Sequence, residues 1–455
     1  DVERGIVDNE IFVSEELYAL EQERVFGRSW LFLAHESMVP RPGDYISNYM
    51  GEDAVIVMRG MDGKVRVFLN KCRHRGNRVC LFDRGNAKAF TCSFHGWTYG
   101  TEGQLTGVPH YDEVYLGELD RGEMGLVEVP RVEEVGGLIF GNWDADAMSL
   151  DAYLGDVKWY LETFLSVEWL GGIQVVPGKQ SYMLPGNWKL LAENFQGDHY
   201  HFASTHASVI KLYQMEAQAA NGGGTGRRAR LRRRSPDDPT YEVTAGYLRG
   251  APHGLGSFRV GRHTFENDLY AAESLGAEAV EWVRYRYELL RERVQAVKED
   301  AYSFVRGNMF PNFSVIGISS ALEAIGLLVW HPRGPHQTNL WQWGAVEKDA
   351  PKIVKETAIA ALMQGQAGAG LVGMDDGENF ERIAEMVRSP RARKVPFDYT
   401  MSLGYEKSYP GSEEWDVAGL PGLLGPHITE VNQRQFYRYW RELMAEETQA
   451  GEESG

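Results

Sequence analysis

The sequence predicts an α+β protein, with a small, mostly β domain inserted into, or followed by, a larger domain of mixed strands and helices. Three observations carry this expectation. From about residue 40 to about residue 150 the chain is a series of short β-type runs broken by Gly, Asn and Asp. Before that stretch lies a segment with helical spacing. Beyond it, strand-like runs alternate with long segments of helical period.

Taken in order, residues 14–26, SEELYALEQERVF, alternate apolar and charged residues at helical spacing behind Ser14, which can cap a helix. DAVIVMRG, KVRVFLN, KAFTCSF and GLIFGNW read as strands of the small domain. SLDAYLGDVKWYLETFL then reads as a helix opening the second region. There SYMLPGNW, NFSVIGIS, GLLVWHP and NLWQWGAVEK read as strands, and AVEWVRYRYELLRERVQAVKED and EVNQRQFYRYWRELM as helices. No internal repeat is visible, and the closing AEETQAGEESG reads as a frayed tail.

Composition narrows the function. With 455 residues the chain can bury a sizeable core and form more than one domain. Its 43% hydrophobic and 24% charged residues are ordinary for a globular protein. A net charge of -17 excludes general nucleic-acid binding, which needs a basic footprint on the phosphates. No apolar run approaches the roughly 18 to 20 residues of a membrane span. The opening DVERGIVDNEIF has neither a basic start nor an apolar core, so no secretory signal is expected in it. The only cysteines, Cys72, Cys80 and Cys92, crowd into one short stretch, which suits reduced thiols and metal ligation rather than a disulfide framework. The chain reads as cytoplasmic. In NGGGTGRRARLRRRSPDD a Gly cluster precedes six Arg in residues 227–234. This reads as a solvated loop, with a dock for an acidic partner or a flap over an anionic substrate as the sharper alternative.

Two constellations carry chemistry. The first, CRHRGNRVCLFDRGNAKAFTCSFH, sets Cys72-x-His74, a gap of 17 residues, then Cys92-x-x-His95. Two loops would each present one thiolate and one imidazole. Zinc accepts such a set, and so does a [2Fe-2S] cluster with two Cys on one iron and two His on the other. Gly76 and Gly96 permit close backbone approach to bridging sulfides, and Trp97 can screen water, which favours the cluster. Cys80, alone in the apolar RVCLF, reads as a small buried side chain.

The second constellation is DHYHFASTH, three of the twelve histidines in residues 198–206. Were the chain helical around Asp198, then Asp198 and His201 would share a face and His199 would point elsewhere. His201 and His206 are five apart, so a helix must end or bulge between them. Two histidines and one carboxylate hold Fe(II) with open positions. For the carboxylate, Glu193, Asp375, Asp376 and Glu378 are all candidates.

Together these patterns resemble the Rieske non-haem iron aromatic-ring-hydroxylating oxygenases, catalytic α subunit. The resemblance rests on C-x-H-R-G and C-x-x-H-G-W, on the flanking WLFLAHESMVPRPGDY and GLIFGNWD, on Asn194, Asp198, His201 and His206 in the family's spacing, and on DDGEN at 375–379. It implies an all-β Rieske domain at 38–155, inserted into a catalytic domain of residues 1–37 and 156–455 built on an antiparallel sheet covered by helices. It implies that Cys72 and Cys92 hold one cluster iron and His74 and His95 the other. His201, His206 and Asp376 would hold a mononuclear Fe(II). Asp198 would bridge His95 of one subunit to His201 of the next, with Asn194 and Phe195 near the substrate pocket.

The activity implied is that of the terminal oxygenase, adding both atoms of O2 to an aromatic ring to give a cis-dihydrodiol. Electrons would come from NADH through a separate reductase and ferredoxin, since no G-x-G-x-x-G follows a strand. A small β subunit would complete an α3β3 assembly. A mono-oxygenase of the salicylate hydroxylase type is the alternative. A Rieske electron carrier or a structural zinc protein would leave one constellation unused. Family members acting on hydrocarbons often show Phe-Gly-Pro-Ala-Gly where this chain has QAGAG with Gln366 first. A more polar wall there would suit a larger ring system or a substituent such as a carboxylate, but Gln366 is assigned no role and the departure names no substrate.

Overall fold

The computed structural model describes residues 1–212, 215, 243–247, 252–259, 262–295, 302–317, 320–405, 421, 423–426 and 428–445. The Arg-rich segment 227–234 and the tail 446–455 lie outside the described residues. The chain forms two compact units: residues 21–153, and residues 1–20 together with 154–455. Chain from the larger unit flanks the smaller on both sides, so the small unit is an insertion. It begins ahead of residue 38 because Leu31–His35 pairs antiparallel with Leu138–Asn142, which draws WLFLAH into the β unit.

The small unit contains three antiparallel sheets. In the four-stranded one the order is Val65–Leu69, Asp53–Arg59, Asp44–Met50, Arg84–Asn86. Asp53–Arg59 is interior because Val55, Ile56, Val57 and Met58 need cover on both faces, and all four are fully buried. Ala89–Thr91, Thr98–Gly100 and Leu105–Gly107 form a second, three-stranded sheet. Of KAFTCSF, expected as one strand, only Ala89–Thr91 stays in the ladder; from Cys92 the chain leaves to make a loop. Ile56, Met58, Phe68, Trp97 and Tyr99 pack with Cys72 and Cys92 in one core. The thiols therefore belong to the core that holds the loops in place.

A nine-stranded antiparallel sheet organises the larger unit. Its order is Ile173–Val175, Gln337–Glu347, Ile325–Pro332, Phe313–Ile316, Tyr302–Met309, Gly254–Arg259, Val243–Tyr247, Leu423–Pro426, with Gln180–Pro185 also on Gln337–Glu347. Ile325–Pro332 is buried along its whole length, as its continuous apolar run requires. Helices Trp188–Asn194 and Lys352–Gln366 pack on that strand, and Gly373–Arg388 packs on Gln180–Pro185. No helix among the described residues is long and apolar enough to cross a membrane.

Two further expected elements differ. SYMLPGNW stops being a strand at Pro185, because Gly186 turns the chain at φ +119° and Asn187 caps a helix. The Asn187 side chain accepts from the Lys189 N–H at 3.2 Å. SLDAYLGDVKWYLETFL is three pieces, Leu150–Leu154, Val157–Tyr160 and a π-helical turn Leu161–Ser166, broken where Gly155 takes φ +50°.

Candidate active site

In the small unit both Cys–His loops close by the same device. The Cys72 carbonyl accepts from the Gly76 N–H at 2.9 Å, and the Cys92 carbonyl from the Gly96 N–H at 3.0 Å. Both glycines are left-handed, φ +76° and +72°. At Gly96 a Cβ would stand 2.9 Å from Pro109 Cγ, so glycine is required twice over. Cys72 and Cys92 are buried, whereas His74 and His95 are half-buried at the rim. The imidazoles are paired, with ring centroids 4.5 Å apart, and Trp97 stacks on His74 at 5.1 Å.

The thiols sit among donors. Tyr99 Oη lies 3.3 Å from Cys72 Sγ, and Asn77 Nδ2 donates to Cys92 Sγ at 3.8 Å. Burial alone would raise the Cys92 thiol, but the N–H groups of Phe94 and His95, with Cys72 and Asn77, bring it below its ordinary value. That favours the thiolate, the form that binds metal. Burial, then the neighbouring His95 and Arg75, lower His74, which favours the neutral imidazole. His74 Nδ1 is buried without a hydrogen-bond partner. The donor set therefore fits a metal group. Among the described residues, no three ligand atoms of this set lie within 4.8 Å of one another, whereas a zinc tetrahedron would draw all four around one ion. Paired thiols inside and paired imidazoles at the rim suit a two-iron cluster. Cys80 stands apart, donating to the Phe82 carbonyl at 3.4 Å.

In the larger unit one such trio exists among the described residues: His201, His206 and Asp376. His201 Nε2 lies 3.5 Å and His206 Nε2 3.3 Å from Asp376 Oδ1. The local fold differs from a helix through Asp198. Helix Trp188–Asn194 ends, Gly197 takes φ +123°, and Asp198 sits in a turn. The three-residue relation is made by hydrogen bonds instead. Asp198 Oδ1 accepts from the N–H groups of Tyr200 at 2.9 Å and His201 at 3.3 Å. This leaves Oδ2 3.0 Å from His201 Nδ1. A short helix, Phe202–Thr205, then carries the chain to His206.

The four candidate carboxylates separate clearly. Asp376 joins the trio. Asp375, its neighbour in the first turn of Gly373–Arg388, places Oδ2 3.3 Å from His206 Nδ1. Glu378 pairs with Arg382 on an exposed face. Glu193 accepts from the Tyr399 hydroxyl at 2.6 Å, and burial raises its carboxyl to about 8. Asn379 Nδ2 donates to Thr205 Oγ1 at 3.3 Å, tying the Asp376 helix to the histidine segment.

Each imidazole therefore has one nitrogen toward Asp376 and the other toward its own carboxylate. Burial alone would lower His206, but Asp376 and Asp375 raise it. Burial would raise Asp198, yet the hydrogen bond and charge of His201, its backbone N–H and Arg306 hold it below the ordinary range. Both His201 nitrogens are closed off from solvent without a well-aligned hydrogen bond, Nδ1 3.0 Å from Asp198 Oδ2 and Nε2 3.5 Å from Asp376 Oδ1, so this set too fits a cation. His199 is half-buried toward the sheet, its Nε2 3.2 Å from where a Cβ on Gly256 would be. Asn194, buried at the end of its helix, lines a cavity of about 450 Å³ with Glu193, Asp198, Phe380 and Tyr399. Two partners escaped the sequence reading. DDGEN signalled Asp375 only as a possible ligand, and nothing signalled Arg306.

Two family models match the chain. Residues 29–124 match the Rieske [2Fe-2S] domain, and residues 150–446 match the ring hydroxylating alpha subunit (catalytic domain). The chain is 37% identical to the biphenyl 2,3-dioxygenase subunit alpha of Rhodococcus jostii, over 98% of this chain and 90% of that one. It is 38% identical to the chlorobenzene dioxygenase subunit alpha of a Cupriavidus species, over 98% and 92%. The structure of naphthalene 1,2-dioxygenase from a Rhodococcus species, bound to indole, superposes with a TM-score of 0.77 at 32% identity, over 97% and 95% of the two chains. The chain belongs to the ring-hydroxylating dioxygenase α subunits, terminal oxygenases that carry a Rieske [2Fe-2S] cluster and a mononuclear iron.

Proposed function

We propose that this α subunit works in the cytoplasm in an NADH-driven system, taking electrons through a separate ferredoxin and reductase, and that it converts an arene to a cis-dihydrodiol. Cys72 and Cys92 would hold one iron of the cluster and His74 and His95 the other; His201, His206 and Asp376 would hold Fe(II). When bound, the cluster supplies single electrons and the ferrous ion supplies the open positions at which O2 is activated.

The chain's own residues orient that site. Asp198 takes Nδ1 of His201 and Asp375 takes Nδ1 of His206, which fixes both rings with Nε2 inward and raises their basicity. Asp198 is also the carboxylate we read as meeting His95 of a neighbouring subunit, in an α3β3 assembly with a small β subunit. Its side chain is 33% exposed, which supports that reading.

The convergence of two Nε2 atoms and one Oδ1 carries the assignment of the iron site. Metal analysis tests it. We expect about three irons and about two acid-labile sulfides per chain, without zinc. Asp376→Ala should lose about one iron and keep the cluster's visible spectrum. Unchanged iron in that variant, or zinc without sulfide, would reject the assignment. A monohydroxylated product in place of a cis-diol would reject dioxygenation.

A further inference from the structure

Strand Tyr302–Met309 carries an arginine beside the iron trio. In the antiparallel register Arg306 stands opposite Gly256 on one side and Ile316 on the other. Its Nη2 donates to the backbone carbonyl of Asp198, which brings the guanidinium to the turn that carries His201. Asp198 and Asp376 both act on its ionisation, opposing the effect of burial. Its Nε–H is closed off from solvent and meets no acceptor among the described residues. A Cβ at Gly256 would lie 3.2 Å from His199 Nε2, a tight approach, and 3.5 Å from Arg306 Cγ, an ordinary contact.

A guanidinium stays charged at physiological pH and presents five N–H groups; Arg306 is half-buried, and its idle Nε–H, closed off from water, is costly unless an acceptor arrives. The acceptor that matches its planar fork is a carboxylate. Biphenyl, chlorobenzene and naphthalene, the arenes in the relatives' names, offer none.

Resting on the ring-hydroxylation reading above, we propose that Arg306 is a substrate-binding residue and that the arene taken by this chain bears a carboxylate. The carboxylate oxygens accept from Arg306 while the ring lies toward His201, His206 and Asp376.

The test is equilibrium binding to the metal-loaded holoenzyme under anaerobic conditions, by ligand fluorescence, with 2-naphthoate and naphthalene as paired probes. Wild type should bind 2-naphthoate about tenfold or more tightly than naphthalene, and Arg306→Gln should cut the naphthoate-to-naphthalene affinity ratio by about 10- to 100-fold. Arg306→Lys should keep part of the ratio, having the charge without the fork. If Arg306 only props the Asp198 turn, both affinities and the iron content fall together and the ratio holds, which overturns the proposal. A wild-type preference for naphthalene overturns it as well. Turnover with ferredoxin and reductase separates the two readings. Naphthoate bound in preference but never oxidised supports the anion site and rejects ring hydroxylation of it. A cis-diol from naphthalene with no preference for naphthoate keeps the enzyme and rejects the anion site.

Discussion

Asp375 Oδ2 lies 3.3 Å from Nδ1 of His206, while Nε2 of the same ring lies 3.3 Å from Asp376 Oδ1. Adjacent carboxylates on one helix turn therefore do different work on one imidazole. Asp375→Asn keeps the shape and removes the charge that orients the ring. Iron affinity should fall by about 10- to 100-fold, with the cluster's absorption unchanged. Metal analysis after dialysis against a graded chelator series measures this, and wild-type retention would remove Asp375 from the support of the site.

Asp198→Asn isolates the proposed bridge. The cluster should stay, iron binding should weaken as it does at Asp375, and turnover per bound iron should fall by about 100-fold. Single-turnover oxidation of the reduced cluster is the informative readout. A rate near wild type would show that electrons do not need this carboxylate.

Gly96→Ala tests the loop closure. The new methyl would need φ near +72° and would meet Pro109 Cγ at 2.9 Å. We expect a loss of about 2–3 kcal/mol and weaker cluster retention. Gly63→Ala is the matched control, since Gly63 is also left-handed at φ +83° but nothing lies within 4 Å of the added carbon. It should cost about 1 kcal/mol. Equal melting temperatures for the two variants would show that the Pro109 contact is yielding.

Glu193 makes a pH prediction of definite sign. Burial raises its carboxyl from about 4.5 to about 8, against the hydrogen bonds of Tyr399 and Tyr437. Asp198 and Glu430 face it and push the same way as burial. A raised acid favours the protonated form in the folded state. Its contribution to stability is therefore full below about pH 4.5 and is lost as the pH rises through about 8. Glu193→Gln stays neutral, so its melting temperature should gain on wild type across that window, by an amount equivalent to about 2–4 kcal/mol. Parallel melting curves from pH 5 to pH 8, run on both proteins, decide this; no relative gain with rising pH would mean the carboxyl is already ionised.

Much of the site was legible because metal chemistry writes short spacings into the chain. Cys72-x-His74 and Cys92-x-x-His95 each fit one loop, and left-handed Gly76 and Gly96 follow from the close backbone approach there. His201 and His206 were visible for the same reason. The apolar run GLLVWHP read as a strand, and Ile325–Pro332 is one, buried along its whole length. Helical geometry around Asp198 was the weaker inference, since an Asp that bonds the next N–H groups competes with the helix, and Gly197 at φ +123° decided the outcome.

What the sequence by itself determined was the inventory: two thiols and two imidazoles on paired loops, two more imidazoles, and a short list of carboxylates. The resemblance already named Asp376 for the trio, and only the tertiary structure decided that Asp375 orients His206, because the two meet across 169 residues of chain. The same holds for Arg306, brought to Asp198 across 108 residues by a strand in the sheet. Spacing within a loop is fixed by local backbone geometry, so it can be read directly. A charge that arrives from a distant strand depends on register and packing, and no local pattern records it.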